Sequence, residues 1–336
     1  MALADSAASA PARLTLSFYR YVRVSDPVAT CERLREGLTS LDALGRIYVA
    51  EEGVNAQLSL PEQSLSALAD YLAVEHGWAN LRLNVGHEHE TNSFRKLIVR
   101  VRPKIVADGL DDATFDASAG GEHLDADRFD ALAQDPTSVV VDMRNHYESE
   151  VGYFEGAIRP QVDTFRESLP IVEDLLAAHR EAPVLLYCTG GIRCEKASAW
   201  LRHRGFEQVY QLEGGIIHYA HERARQGQPG RFVGKNFVFD DRLGERIGPE
   251  VVSRCHQCGV PSDRHVNCVN DRCHLLFLQC EACAERFEDC CSQLCRDYVA
   301  EKRAGTLDED AALPVFNGSR YPHAHYRAND EDTMLS

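Results

Sequence analysis

The sequence predicts an α/β protein built from three units: an α+β domain, an α/β domain on a parallel sheet, and a small cysteine-rich metal-binding module. Three observations carry this expectation. Strand and helix signals alternate as βαββαβ over residues 13–106. Two short, wholly apolar strands of the buried parallel kind, "SVVVDM" and "PVLLYC", follow, separated by helix-like stretches. Nine of the twelve cysteines crowd between Cys255 and Cys295, several as C-x2-C pairs.

In the first unit "LTLSFYRYV" reads as a strand, and "DPVATCERLREGL" as a helix with an Asp cap and Pro27 in its first turn. "GRIYVA" and "NAQLSL" are strands flanking "EEGV". "PEQSLSALADYLAVEH" carries a helical stripe of Leu65, Leu68, Ala69 and Leu72, after which "LRLNV" and "FRKLIVRV" return to strand. That order suggests a ferredoxin-like, acylphosphatase-like sandwich over 13–106. Residues 107–128 are acidic and poor in large apolar side chains, the composition of a linker. The parallel-sheet unit is expected over 129–225, with "EQVYQL" as a further strand after the helix "CEKASAWLRHRG". The cysteine-rich module is expected over 226–300, and a polar, mostly unstructured tail over 301–336.

At 336 residues the chain exceeds one typical domain, and its charged and apolar fractions are those of a folded soluble protein. No apolar run reaches the roughly 18 residues of a membrane span, and "MALADSAASAPARL" has neither a basic start nor an apolar block. A cytoplasmic protein with no membrane partner, opening on a disordered leader at 1–12, is the expectation. Without a secretion signal, crowded cysteines point to metal rather than disulfides. A net charge of −16 argues against indiscriminate nucleic-acid affinity but leaves room for a local basic face.

Ligands of parallel sheets sit beyond the carboxyl ends of the strands, where Cys188 and Asp142 both fall. In C-T-G-G-I-R, the N–H groups of Thr189, Gly190, Gly191 and Ile192 can turn inward around the sulfur as an anion-binding nest. A helix amino terminus and Arg193 add positive potential at the same spot, which would favour the thiolate at neutral pH. The plain alternative is a buried thiol at a strand end. Cys194 either resolves a sulfur species on Cys188 as a disulfide or packs against the sheet.

Cys255/Cys258 with Cys280/Cys283 give C-x2-C…C-x2-C, whose sulfurs converge in tight turns as a thiolate metal site requires. Cys268, Cys273, Cys291 and Cys295 supply a second site, with Cys290 competing for the place of Cys291 and His256, His265 and His274 as substitutes. Structural zinc is the favoured reading and an iron–sulfur cluster the rival; whether the pairs are used sequentially or interleaved stays open. "TNSFRKLIVRVRPKI" contains no acid, and strand alternation would put Lys96, Arg100, Arg102 and Lys104 on one side as a phosphate-binding stripe or an ordinary solvated face.

"VVVDMRNHYESEVGYFEGAI", "LLYCTGGIRCEKASAWL" and "VYQLEGGI" resemble the rhodanese domain, whose loop cysteine carries sulfur as a persulfide; Cys188 is the matching position. The four residues between Cys188 and Arg193, one fewer than in related phosphatases, imply a cradle for sulfur rather than phosphate. Asp142 and Arg144 match the Asp-x-Arg of many rhodaneses, in direct chemistry or as a buried ion pair holding the loop. The chain departs from the pattern at Gly152-Tyr153, where many rhodaneses have Gly-His.

Together with "AEEGVNAQLSL", "SFRKLIVRVRPKIV", "FVFDDR" and the cysteine run, these motifs resemble the rhodanese-like tRNA uridine hydroxylases, in order, from about Leu14 to Cys295. The resemblance implies oxygen-dependent conversion of the wobble uridine to 5-hydroxyuridine at Cys188, with O2 as co-substrate and an unidentified reductant or sulfur donor. No flavin or haem fingerprint is present. One mechanism has the Cys188 persulfide add to the uracil ring; another has it reduce an oxygen-derived intermediate. The rivals are a plain sulfurtransferase and a non-catalytic tRNA-binding adaptor. The uridine would be unstacked from an anticodon loop, with Tyr147, Tyr153 and Phe154 as stacking surfaces or as core.

Overall fold

A computed structural model describes residues 12–86, 93–110 and 115–307; the predicted leader up to residue 11 and the tail from 308 lie outside the described residues. The first unit runs β1 (Arg13–Tyr21), α1 (Pro27–Ser40), β2 (Leu44–Ala50), β3 (Gly53–Pro61), α2 (Leu65–His76), β4 (Asn84–Val85) and β5 (Leu97–Val101). Asp26 caps α1 by accepting from the Ala29 N–H, as its sequence predicts. The strand order is β4-β1-β3-β2-β5, the ferredoxin-like arrangement with β5 added parallel to β2. Alternation along β1 turns Leu16 and Phe18 into a core with Leu34, Leu38, Leu68 and Leu72 from the helices. Ser17, Tyr19 and Tyr21 therefore line the opposite sheet face, which a two-layer sandwich leaves uncovered. Here that face lies on the second unit.

The second unit contains β6 (Glu122–Leu124), α3 (Ala126–Ala133), β7 (Val139–Asp142), α4 (His146–Ser149), β8 (Gly152–Phe154), α5 (Phe165–Leu175), β9 (Val184–Tyr187), α6 (Ile192–His203), β10 (Val209–Leu212) and α7 (Gly215–Gln226). Its sheet is parallel, in the order β6-β10-β9-β7. Central β9 is buried on both faces: Val184 and Leu186 enter one core, Leu185 and Tyr187 the other. The span 107–128 is not only a linker. Glu122–Leu124 pairs with the open edge of β10, and Asp125 caps α3. A three-residue edge strand tolerates the charged side chains that made this stretch read as loop.

β11 (Phe232–Asn236) pairs with β8 and with β12 (Glu245–Arg246), stitching the third unit to the second. The hairpin β13 (His265–Asn267) and β14 (Leu276–Leu278), then α8 (Glu281–Phe287) and α9 (Gln293–Ala304), complete it. α9 thus carries regular structure four residues into the predicted tail. Lys196 of α6, almost wholly buried, reaches Glu52 of the first unit, Asp108 and the Val106 carbonyl, and so ties the units together at one ammonium. No helix among the described residues is long and apolar enough to cross a membrane.

Candidate active site

Cys188 follows β9 directly and is 0% exposed. The chain then turns through Gly191, which precedes α6 with φ of 100°, a conformation that favours glycine. From there the Gly191 N–H donates to Cys188 Sγ at 3.2 Å, and the N–H groups of Arg193 and Cys194 also address the sulfur. Burial alone would push the thiol up. The Cys194 thiol, the Arg193 charge and these N–H groups outweigh it and bring Cys188 down to about 6. Cys194, also 0% exposed, is held well above its usual value by burial and by Cys188. The two thiols are therefore unlike: at neutral pH Cys188 is an anion and Cys194 its proton-bearing donor.

Arg193 is clamped by Glu148, whose Oε1 and Oε2 accept from its two terminal nitrogens at 2.5 and 2.8 Å. Thr189 Oγ1 donates to Glu148 Oε2 at 3.3 Å and accepts from Arg193 at 3.3 Å. Glu148 is 0% exposed and absent from the sequence-predicted site. Asn-x-x-Glu over 145–148 is a capping box that could have marked it as a helix-start carboxylate, though not its reach to Arg193. Asp142 and Arg144 form a fully buried pair, and Arg144 also donates to the Gly152 carbonyl at 2.6 Å, bracing β7 against β8. The "LEGGI" motif acts through backbone: the Ile216 N–H donates to the Cys188 carbonyl at 3.0 Å and Ile217 to that of Thr189 at 3.2 Å. A Cβ on Gly215, where φ is 65°, would lie 2.5 Å from the Cys188 carbonyl oxygen.

The bare face of β1 closes over this loop. Tyr19 donates to Glu195 Oε1 at 2.8 Å, and a Cβ on Gly191 would meet its hydroxyl at 2.7 Å. Tyr21 donates to the Ile192 carbonyl and Asn84 Nδ2 to the Gly190 carbonyl, each at 3.2 Å. None of the three was a sequence-predicted site residue. Beside the loop a cleft opens where all three units meet, with Thr189 from the loop, Asn84 from the first unit and Phe239 from the third in its walls.

Other expectations divide. Lys96, Arg100 and Arg102 are exposed, and Arg102 lies 5.1 Å from the Tyr48 ring. Lys104 does not belong to that stripe. β5 ends at Val101, ahead of Pro103, which cannot donate to a ladder, and Lys104 is half-buried on Asp108 and the Leu110 carbonyl. Tyr147 and Phe154 are core, the first edge-on to Phe237 and the second among Phe129, Tyr187 and Tyr219; Tyr153 sits under Arg159.

The cysteines of the third unit form two tetrads: Cys255, Cys258, Cys280 and Cys283, and Cys268, Cys273, Cys291 and Cys295. In each the sulfurs lie within 4.8 Å of one another. First and third pairs thus share one site, second and fourth the other, an interleaved brace. Sulfur separations of 3.5 Å for Cys258–Cys280, 3.7 Å for Cys273–Cys291 and 3.6 Å for Cys291–Cys295 approach the edge of a tetrahedral four-thiolate metal site. That edge is roughly 3.8 Å for metal–sulfur bonds of about 2.3 Å. Both tetrads can hold a metal ion. Cys290 and the three histidines stand outside them; His256 is engaged by Glu150.

Three family descriptions match in succession: an acylphosphatase-like domain (UPF0176) over 13–105, a rhodanese-like domain over 125–222 and a rhodanase C-terminal region over 233–296. The tRNA uridine(34) hydroxylase of Enterobacter sp. (strain 638) is 49% identical over 92% of this chain and 90% of its own. That of Citrobacter koseri is 53% identical over 84% and 81%, and that of Photorhabdus laumondii 49% over 92% and 89%. With the loop, the sheet that covers it and the cysteine brace all inside the matched span, the chain belongs to the tRNA uridine(34) hydroxylase family.

Proposed function

We propose that the protein converts uridine 34 of tRNA to 5-hydroxyuridine through a persulfide carried on Cys188. One observation carries the reading: a buried cysteine brought down to about 6 at the focus of N–H groups and a clamped arginine. Such a cradle stabilises a persulfide anion as it does a thiolate, since both place one negative charge on sulfur. Glu148 keeps Arg193 turned toward the loop, and Cys194 supplies the remaining donor. With O2 as co-substrate, one oxygen atom enters the C5–H bond and the other leaves as water, which takes two electrons and two protons from a separate donor. The anticodon loop is the part of tRNA that offers an unpaired base, and the exposed Lys96, Arg100 and Arg102 suit its phosphates. Asp142 and Arg144 support the loop from its scaffold.

Zinc fits both tetrads by donor type and spacing, and held there it would cross-link the third unit. A tRNA enzyme of this kind works in the cytoplasm. Nucleosides from tRNA incubated with the protein in air and a reductant, compared by mass spectrometry with a Cys188→Ser control, test the reading. A uridine heavier by one oxygen, absent with the variant, is expected. Sulfur in place of oxygen would make the protein a sulfurtransferase, and an unchanged product from Cys188→Ser would remove the persulfide from the chemistry.

A further inference from the structure

At the junction of the three units two residues that line the cleft, Asn84 and Glu245, each carry a buried acceptor with no partner among the described residues. Asn84 is 5% exposed; its Nδ2 is spent on the Gly190 carbonyl, and its Oδ1 has no partner. Glu245 is 0% exposed; its Oε1 accepts from Arg242, and its Oε2 is unpaired. Burying an acceptor without a donor is costly, so a site that retains two of them is shaped for a ligand bringing two donors. Phe239 and Phe94 supply apolar wall, and the Arg193 guanidinium lies 5.8 Å from the Phe239 ring. Ser17 and Gln57, paired across β1 and β3, add a hydroxyl and an amide able to donate to carbonyls.

We propose that this cleft receives the unstacked uridine and that Glu245 reads its base. This rests on the hydroxylase reading and deepens it. A uridine brings two donors, N3–H and the ribose 2′-hydroxyl, which matches the two unpaired acceptors. Glu245 takes N3–H because Arg242, itself fixed on Asp240, pins Oε1 and leaves Oε2 as the carboxylate oxygen without a partner among the described residues. Asn84 joins the base site to the active loop, since the same side chain that lines the cleft holds the Gly190 carbonyl. Phe239 is the stacking surface, in place of Tyr147 and Phe154, which are core, and of Tyr153, which lies under Arg159.

Arg242 makes the assignment testable. In Glu245→Gln the arginine needs an acceptor at Oε1, so the amide nitrogen must occupy the Oε2 position. A donor then faces N3–H of uracil, whereas cytosine presents an acceptor at N3 and is accommodated. Fluorescence anisotropy with labelled anticodon stem-loops carrying U34 or C34 reads this out on the full chain without turnover. For the wild type U34 is expected to bind more tightly; for Glu245→Gln the U34/C34 affinity ratio falls by roughly tenfold or more, as for one buried hydrogen bond turned unfavourable. A gain for C34 is not something a misfolded variant produces. Phe239→Leu, which keeps apolar volume, is expected to weaken both stem-loops by a similar factor. A wild-type protein indifferent to U34 and C34, or a ratio unchanged in Glu245→Gln, overturns the proposal. Hydroxylation measured on the same wild-type preparation reports separately on the function, so either can fail alone.

Discussion

Cys188 and the eight tetrad cysteines are the same residue in opposite settings. Cys188 stands at a focus of N–H groups and one arginine, which stabilises a single negative sulfur. The tetrad sulfurs stand 3.5–3.7 Å from one another in three pairs; single donors reach some of them, the Cys291 N–H to Cys268 Sγ and Asn270 Nδ2 to Cys295 Sγ, but each tetrad gathers four sulfurs. Only a metal makes four thiolates at that spacing favourable. A cysteine's chemistry is thus set by how many sulfurs gather at its site as well as by the donors that reach it, and the two regions should respond oppositely to the same substitution.

The largest contrast lies between Cys188→Ser and Cys283→Ser. Cys188→Ser is expected to abolish hydroxylation while metal content stays at two ions per chain and the melt remains cooperative. Cys283→Ser removes one ligand of the first tetrad and is expected to lose one ion. The third unit should then lose its cooperative melt, because binding free energy of about 10 kcal/mol or more goes into folding at such sites. Elemental analysis and calorimetry on both variants measure this. Loss of metal from Cys188→Ser would break the division between the regions.

A smaller effect is expected at Cys194, the neighbour that makes the Cys188 cradle more than backbone. Cys194→Ala deletes the thiol donor, so the Cys188 thiolate, followed by its ultraviolet absorbance against Cys188→Ser, should titrate higher than about 6. A rise of about one unit is expected for the loss of one such bond, and Cys194→Ser, which keeps a donor, should move less. The linkage has a definite sign. Cys188 is depressed in the folded state, so its contribution to stability is present above the unfolded thiol's value, near 9, and is lost as pH falls toward about 6. Stability of the wild type relative to Cys188→Ser should therefore rise by up to about 1.4 kcal/mol per pH unit through that window, and less in Cys194→Ala.

The same contrast shows what a sequence can carry. The Cys188 loop was legible because its parts are contiguous: strand end, two glycines, arginine and helix start fall within six residues. Its partners were not, because topology brings them. Glu148 is 45 positions from Arg193, Asn84 is 106 from Gly190, and Tyr19 is 176 from Glu195. The tetrads lie between these extremes. C-x2-C spacing picked out the ligands, but their interleaving follows from how the β13–β14 hairpin folds back, which spacing does not encode. The edge strand at 122–124 was hidden by its charges, and Lys104 was placed by extending alternation past the point where the strand stops.

Cys290 offers the finest test, because it adjoins a ligand without being one. It is fully buried beside Cys291, yet its sulfur belongs to neither tetrad, and burial pushes its thiol up to about 12. Its carbonyl accepts from the amides of Gln257 and Gln279, and its thiol lies against Cys268 without joining that tetrad. Cys290→Ala should therefore keep both metal ions and cost about 1 kcal/mol, the scale of a small buried truncation, while Cys291→Ala loses one ion. The two positions are adjacent in sequence and equally buried in kind, so composition and solvent exposure cannot separate them; only the direction of the side chain can. An ion lost from Cys290→Ala and kept in Cys291→Ala would mean that the brace is closed by the other member of the pair.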